Sequence, residues 1–324
     1  MHQPPLVAPP TPPPARVVLV QPRGFCAGVV RAVDIVEKAL ALYEEPVYVR
    51  KEIVHNRRVV EDLRAGGALF VEELTEVPDG AVVIFSAHGV APAVRDEAAR
   101  KNLRVIDATC PLVTKVHSEA LRYARAGRTI VLIGHKGHDE VIGTMGEAPA
   151  AMRVVTTPDE VASLDMPDPA KVAYLTQTTL SVDDAREIVG ALRSRFPDLR
   201  GPKKDDICYA TQNRQSAVKR LAEQVDLVLV IGAYNSSNSL RLTEVARSCG
   251  VEAHLIEDAA DIEADWVAGG RAVGITAGAS TPEVLVEEVV SYFRSLGVSQ
   301  VDTLEAAQEE VRFSLPAALK QESR

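Results

Sequence analysis

Aromatic residues make up only 4% of this 324-residue chain, which leaves little material for platforms on which nucleic-acid bases stack. A formal net charge of −9 also withholds the electropositive field of a general nucleic-acid binder. No apolar run approaches the roughly 20 residues a membrane-spanning helix needs. Nucleic acid and membrane are therefore not expected partners. Cysteine is sparse too: the four residues Cys26, Cys110, Cys208 and Cys249 form no CxxC pair and no ferredoxin-type run. That excludes a disulfide scaffold and a metal set carried on one segment, and it points to a reducing, cytoplasmic setting. A glycine-rich phosphate loop with its lysine is missing as well. The first residues, MHQPPLVAPPTPPPA, hold too much proline for helix or strand and lack the features of a targeting peptide. A disordered tail is expected over 1–15.

What is present is alternation. Short β-branched runs at 16–20, 46–50, 81–85, 129–133, 171–175, 226–231 and 272–276 are separated by amphipathic stretches, the pattern of parallel α/β architecture. The 46% hydrophobic content supplies a core for it. The segments VVLVQPRGFCAGVVRAVDIV, RVIDATCPLVTKVHSEAL and DDICYATQNRQSAVKRLA repeat one order: apolar segment, cysteine, helix. Three similar lobes around a shared centre explain it, with expected limits 16–109, 110–206 and 207–324. The final stretch 301–324 is expected to return across an earlier lobe.

Cys26, Cys110 and Cys208 each stand at a predicted helix entrance, where unpaired N–H groups and the helix dipole favour the thiolate that metals need. Gly24 and Gly28 flank Cys26 and permit close backbone approach. Cys249 precedes Gly250 at a helix carboxyl end, where the dipole disfavours a thiolate, and reads as structural. Three ligands on a 4Fe-4S cluster leave one iron open for a substrate oxygen, whereas electron carriers usually have four protein ligands.

Ligands of open α/β sheets gather beyond the carboxyl ends of the strands, and the loops there are polar. His55-Asn56, Ser86 to Gly89, Gly134 to Glu140, Thr176 to Thr179, Asn235 to Ser239 and Ala279 to Pro282 offer imidazoles, hydroxyls and amides suited to a diphosphate. A carboxyl group such as Glu140 beside a reacting alcohol is a candidate proton donor. His2, His117 and His254 read as structural or solvent-facing. These residues alone also allow a non-catalytic iron-sulfur sensor or a Cys3His zinc hydrolase. Tight binding of an allylic diphosphate separates the first from an enzyme, and a colourless protein would mark the second.

The motifs PRGFCAGVVRAV, VHN, FSAHGV, DATCPLVTKVH, GHKGHDEVIGTMGE, TQTTLSVDD, DDICYATQNRQ, NSSNSLRL and TAGASTPE closely resemble the 4-hydroxy-3-methylbut-2-enyl diphosphate reductase family. Asp139 departs from the proline many members carry there. The resemblance implies three α/β lobes in pseudo-threefold, trefoil-like arrangement around a central iron-sulfur cluster. It implies a 4Fe-4S cluster on Cys26, Cys110 and Cys208, and an oxidised preparation can show it with three irons, as 3Fe-4S. It assigns His55, His88, His138, Ser236, Ser237, Asn238 and Ser280 to the diphosphate, and Thr178 and Glu140 to the substrate hydroxyl, with Glu140, Thr178 and His138 as the catalytic group. The implied reaction is reductive dehydration of the allylic diphosphate to isopentenyl and dimethylallyl diphosphate at the open iron. Two electrons would come from a ferredoxin- or flavodoxin-type donor and a proton from Glu140.

Overall fold

The computed structural model describes residues 12–319. Its strands are β1 (Arg16–Gln21), β2 (Val47–Arg50), β3 (Leu69–Val71), β4 (Val82–Phe85), β5 (Arg104–Asp107), β6 (Thr129–Ile133), β7 (Met152–Val155), β8 (Val172–Thr176), β9 (Leu227–Ile231), β10 (Glu252–Ile256), β11 (Ala272–Ala277) and β12 (Val301–Glu305). They form three sheets, ordered β10-β9-β11-β1-β12, β3-β2-β4-β5 and β7-β6-β8. Every pairing is parallel, because helices cover both faces and leave no cause for a hairpin return. The fold is α/β with three lobes.

Strand β1 departs from the expected limits. Sequence order places this strand in a first lobe spanning 16–109, yet β1 pairs with β11 and β12, aligning Val17 with Val273 and Val301. Val17, Val18, Leu19 and Val20 are all buried. Such a run demands neighbours on both sides and cover on both faces, and the five-stranded sheet supplies them. The hydrophobic run specifies an interior position but not which sheet provides it.

The three helices that follow the cysteines pass from lobe to lobe in a cycle. The helix Ala27–Leu42 leaves the five-stranded sheet and buries Ala32, Ile35, Val36 and Ala39 with Val47, Val49, Val82 and Ile84 of the four-stranded one. The helix Pro111–Arg125 leaves β5 and packs Val116, Ala120 and Tyr123 with Ile130, Leu132 and Leu175 of the three-stranded sheet. The helix Tyr209–Ala222 closes the circuit, setting Ala217, Val218 and Leu221 against Val18, Val228 and Val230 of the five-stranded sheet. Each fully buried Val or Leu there contributes about 1.5–3 kcal/mol.

Both ends of the described chain are tied down. Residues 1–11 of the expected tail, His2 among them, lie outside the described residues. Residues 12–15 instead lead into β1 as fixed, non-strand chain, with Pro12 O accepting from Gly269 N at 3.1 Å and Ala15 N donating to Arg271 O at 2.9 Å. After β12 the chain crosses the helix Ala27–Leu42, where Arg31 Nε donates to Ser314 O at 2.9 Å and Leu315 and Leu319 join the core beneath. Arg214, fully buried, anchors the crossing through Glu309 at 3.0 Å and Gly24 O at 2.8 Å. Among the described residues no helix is long and apolar enough to cross a membrane.

Candidate active site

Cys26, Cys110 and Cys208 each occupy the N-cap of the helix that follows. Their backbone anchors are alike: Cys26 N donates to Ala279 O at 3.1 Å, Cys110 N to Ala87 O at 3.0 Å and Cys208 N to Thr178 O at 3.0 Å. Each acceptor sits just beyond a strand of a different sheet, β11, β4 and β8. The three thiols are free and line one cavity. Cys249 is exposed at the carboxyl end of the helix Ser237–Ser248, outside this group.

Thiolate character is not built in as the helix entrances alone suggest. Burial pushes the Cys110 thiol up to about 12 and the Cys208 thiol up to about 11. Neighbouring cysteines raise both further, and hydrogen bonds from the helix N-termini offset only part of the effect. A bound metal centre supplies the positive charge that reverses this balance. Gly28 keeps side-chain atoms out from between two of the thiols: a Cβ there would meet Cys110 Sγ at 2.8 Å and Cys26 Sγ at 3.7 Å. Three convergent sulfur donors and a backbone kept bare beside them fit an iron-sulfur cluster.

The loops beyond the strand ends bring the remaining residues to the same cavity. His55, His88, His138, Glu140, Thr178, Ser236, Ser237, Asn238 and Ser280 all line it with the cysteines. His55 and His88 stack with ring centroids 4.0 Å apart, and His138 meets them edge-on at 5.4 and 5.8 Å. Burial, then the other histidines, hold His88 well below its ordinary range and bring His138 down to about 4. At neutral pH these two rings are uncharged. His138 Nδ1 accepts from Glu140 N at 3.1 Å, so the proton of its neutral ring sits on Nε2. His55 turns Nδ1 to the Glu52 carboxylate at 3.0 Å.

Glu140 is buried in the first turn of the helix Asp139–Glu147. Oε1 accepts from Thr178 N at 2.6 Å and Oε2 from Thr178 Oγ1 at 2.8 Å. Burial lifts its carboxyl to about 7, against the lowering effect of those two bonds. A carboxyl poised there both holds and releases a proton near neutral pH.

The hydroxyls and amides tie the loops together, two of the three bonds that follow crossing between lobes and the Asn238 bond lying within the five-stranded one. Ser280 Oγ donates to His55 O at 2.8 Å, Asn238 Oδ1 accepts from Ala279 N at 2.8 Å, and Thr179 Oγ1 donates to Ser237 Oγ at 3.0 Å. Ser236 caps its helix by accepting from Ser239 N at 3.3 Å, so capping and a place at the cavity coexist in one side chain. Sequence reasoning missed Lys51, Glu52 and Thr211. Glu52 also accepts from Asn235 Nδ2 at 2.9 Å, and Thr211 links Cys208 Sγ at 3.2 Å to Asn238 Nδ2 at 3.5 Å. The position of Lys51 and Glu52 just beyond β2 was the available signal. His117 pairs with Glu147 at 2.8 Å and His254 stacks on Trp266 at 3.7 Å, both away from the cavity.

A model of the LytB protein family matches residues 17–294. The chain belongs to the LytB family. It is 61% identical over 305 residues to the 4-hydroxy-3-methylbut-2-enyl diphosphate reductase of Bordetella pertussis, covering 94% of each chain. The reductase of the same name from Aromatoleum aromaticum is 59% identical over 304 residues, covering 94% of this LytB chain and 97% of its own. Among solved structures, the E-1-hydroxy-2-methyl-but-2-enyl-4-diphosphate reductase of Plasmodium falciparum superposes with a TM-score of 0.90 at 38% identity, over 95% of this chain and 97% of that one. A second, described as the terminal enzyme of the non-mevalonate pathway, gives a TM-score of 0.61 at 34% identity over 87% and 99%.

Proposed function

We propose that this LytB protein reduces (E)-4-hydroxy-3-methylbut-2-enyl diphosphate to isopentenyl and dimethylallyl diphosphate, the last step of the non-mevalonate isoprenoid route. Two electrons and two protons enter, the allylic C–O bond breaks, and water leaves. Cys26, Cys110 and Cys208 hold the iron-sulfur centre. A 4Fe-4S cluster there would pass electrons singly from a ferredoxin- or flavodoxin-type carrier and offer an iron without a protein ligand.

The protein's own residues bind, orient and protonate. His138 donates from Nε2, and the hydroxyls of Ser236, Ser237 and Ser280 with the Asn238 amide complete a cradle for the diphosphate that stands in for a P-loop. His55 and His88 close the other side. Hydroxide is a poor leaving group, so a proton must reach the departing oxygen. Glu140 supplies it, and Thr178 holds the carboxyl in place and relays through Oγ1. Burial keeps bulk water from competing for that proton.

One observation carries this reading: a carboxyl lifted to about 7 shares a cavity with three thiols and three histidines. The test is anaerobic purification followed by iron and sulfide analysis and turnover of the allylic diphosphate with a chemical reductant. A protein with cluster but no turnover is the sensor alternative, and a colourless zinc protein is the hydrolase.

A further inference from the structure

Lys51 lies where the chain leaves β2, in left-handed backbone with φ 59°, and its N–H donates to Val71 O at 2.7 Å. A side-chain-bearing residue adopts that conformation at a cost, here fixing the turn that leads to His55. Its ammonium reaches from the four-stranded lobe to Asp139, the first residue of the helix Asp139–Glu147 in the three-stranded lobe. The two side chains are only 25% and 20% exposed. An oxygen of Asp139 and ring nitrogens of His55 and His88 lie within 4.8 Å of one another, so the ion pair sits beside two of the cavity's histidines, just outside its lining.

That placement carries an electrostatic conflict. A carboxylate beside His55 and His88 repels an incoming diphosphate, and Lys51 neutralises it only while the two stay paired. A diphosphate bears more negative charge than a carboxylate, so an ammonium between the two gains by leaning toward the diphosphate. From the juxtaposition of Lys51, Asp139, His55 and His88 we propose that Lys51 is a further diphosphate-binding residue, handed over from Asp139 as the anion enters. Asp139 thereby sets how tightly the anion is retained. This rests on the cavity being the diphosphate site.

The test is calorimetric binding of inorganic diphosphate to the cluster-loaded, full-length protein. Lys51→Met keeps length and packing without charge and should weaken binding about tenfold, while Lys51→Arg should restore most of it. Asp139→Asn should tighten binding several-fold. In the Asp139→Asn background, loss of Lys51 should cost more than in the wild type, because the partner that held it back is gone. If Lys51→Met and Asp139→Asn both weaken binding, with lowered melting temperature, the pair is a cross-link between loops and the proposal falls. Unchanged affinity in Lys51→Met, or equal cost in the two backgrounds, also overturns it. His138→Ala separates the two levels: if it too leaves affinity unchanged, the diphosphate site itself lies elsewhere.

Discussion

Thr178 holds Glu140 at both carboxyl oxygens, through its backbone N–H at 2.6 Å and its hydroxyl at 2.8 Å. A carboxyl gripped this way is fixed in orientation, with a hydroxyl against one of its oxygens. Glu140→Gln preserves size and the contact with Thr178 N, its amide nitrogen donating to Thr178 Oγ1 instead of accepting from it, but transfers no proton. Cluster content and diphosphate affinity should survive, while turnover falls by about 10² or more. Near-normal turnover would reject Glu140 as the acid.

The same carboxyl makes stability depend on pH. Its folded value, about 7, stands above the roughly 4.3 of an unfolded glutamate. The folded state therefore binds the proton more tightly, so this group stabilises fully below about pH 4.3 and loses that contribution as pH rises through 7. Glu140→Gln has no such loss. Denaturant melts at pH 5 and pH 8 should show the variant gaining on the wild type at the higher pH, and a constant difference would contradict the burial argument.

Cluster loading should depend on Cys26, Cys110 and Cys208 and not on Cys249. Serine at any of the first three should abolish or impair iron, sulfide and visible absorption. Serine at the exposed Cys249 should leave them intact. Gly28→Ala gives an independent check, since its methyl would enter the space beside Cys110 Sγ at 2.8 Å. It should lower cluster content with every ligand still present.

Diphosphate binding should take up protons. His138 near 4 and His88 well below its ordinary range are neutral at pH 7, and a bound anion favours their charged forms. Affinity should therefore fall as pH rises from 6 to 8. Calorimetry in buffers of different ionisation enthalpy measures the uptake directly. His55→Ala, His88→Ala and Asn238→Ala should each cost about 1–3 kcal/mol of binding; no change in any of them would move the anion out of this cradle.

Glu309→Ala leaves the fully buried Arg214 without its carboxylate, while Gly24 O and Ala210 O remain as partners. Breaking a buried pair from one side costs about 3–5 kcal/mol, and Glu309 is partly open to water, so about 3 kcal/mol is expected. A melt unchanged within about 0.5 kcal/mol, the scatter of neutral surface substitutions, would show that the C-terminal crossing is not anchored there.

The seven apolar runs read from the sequence all form strands. The five strands outside that set, β3, β5, β7, β10 and β12, all lie at sheet edges. Edge strands are covered less fully and carry mixed residues, as in RVID of β5 and VDTLE of β12, so no continuous hydrophobic run betrays them. β8 also ends its sheet, yet a bridge from Ala173 to Arg200 shields its outer side, and its run was legible. The cysteine helix entrances were legible because N-cap position is local. Sheet membership of β1 was not, because pairing partners distant in sequence leave no local mark. Nor were the raised thiols, since burial appears only once the lobes meet.

The position of β1 also orders events during synthesis. The first strand of the described residues is held between β11 and β12, which are made more than 250 residues after it. Until then its apolar residues lack their neighbours, and Cys26, a few residues on, has neither its Ala279 anchor nor a settled place beside the other two thiols. The four- and three-stranded lobes can take shape while translation continues, but the complete sulfur triad exists only in the finished chain. If the three thiols hold the cluster as proposed, a chain truncated before β11 should load no iron.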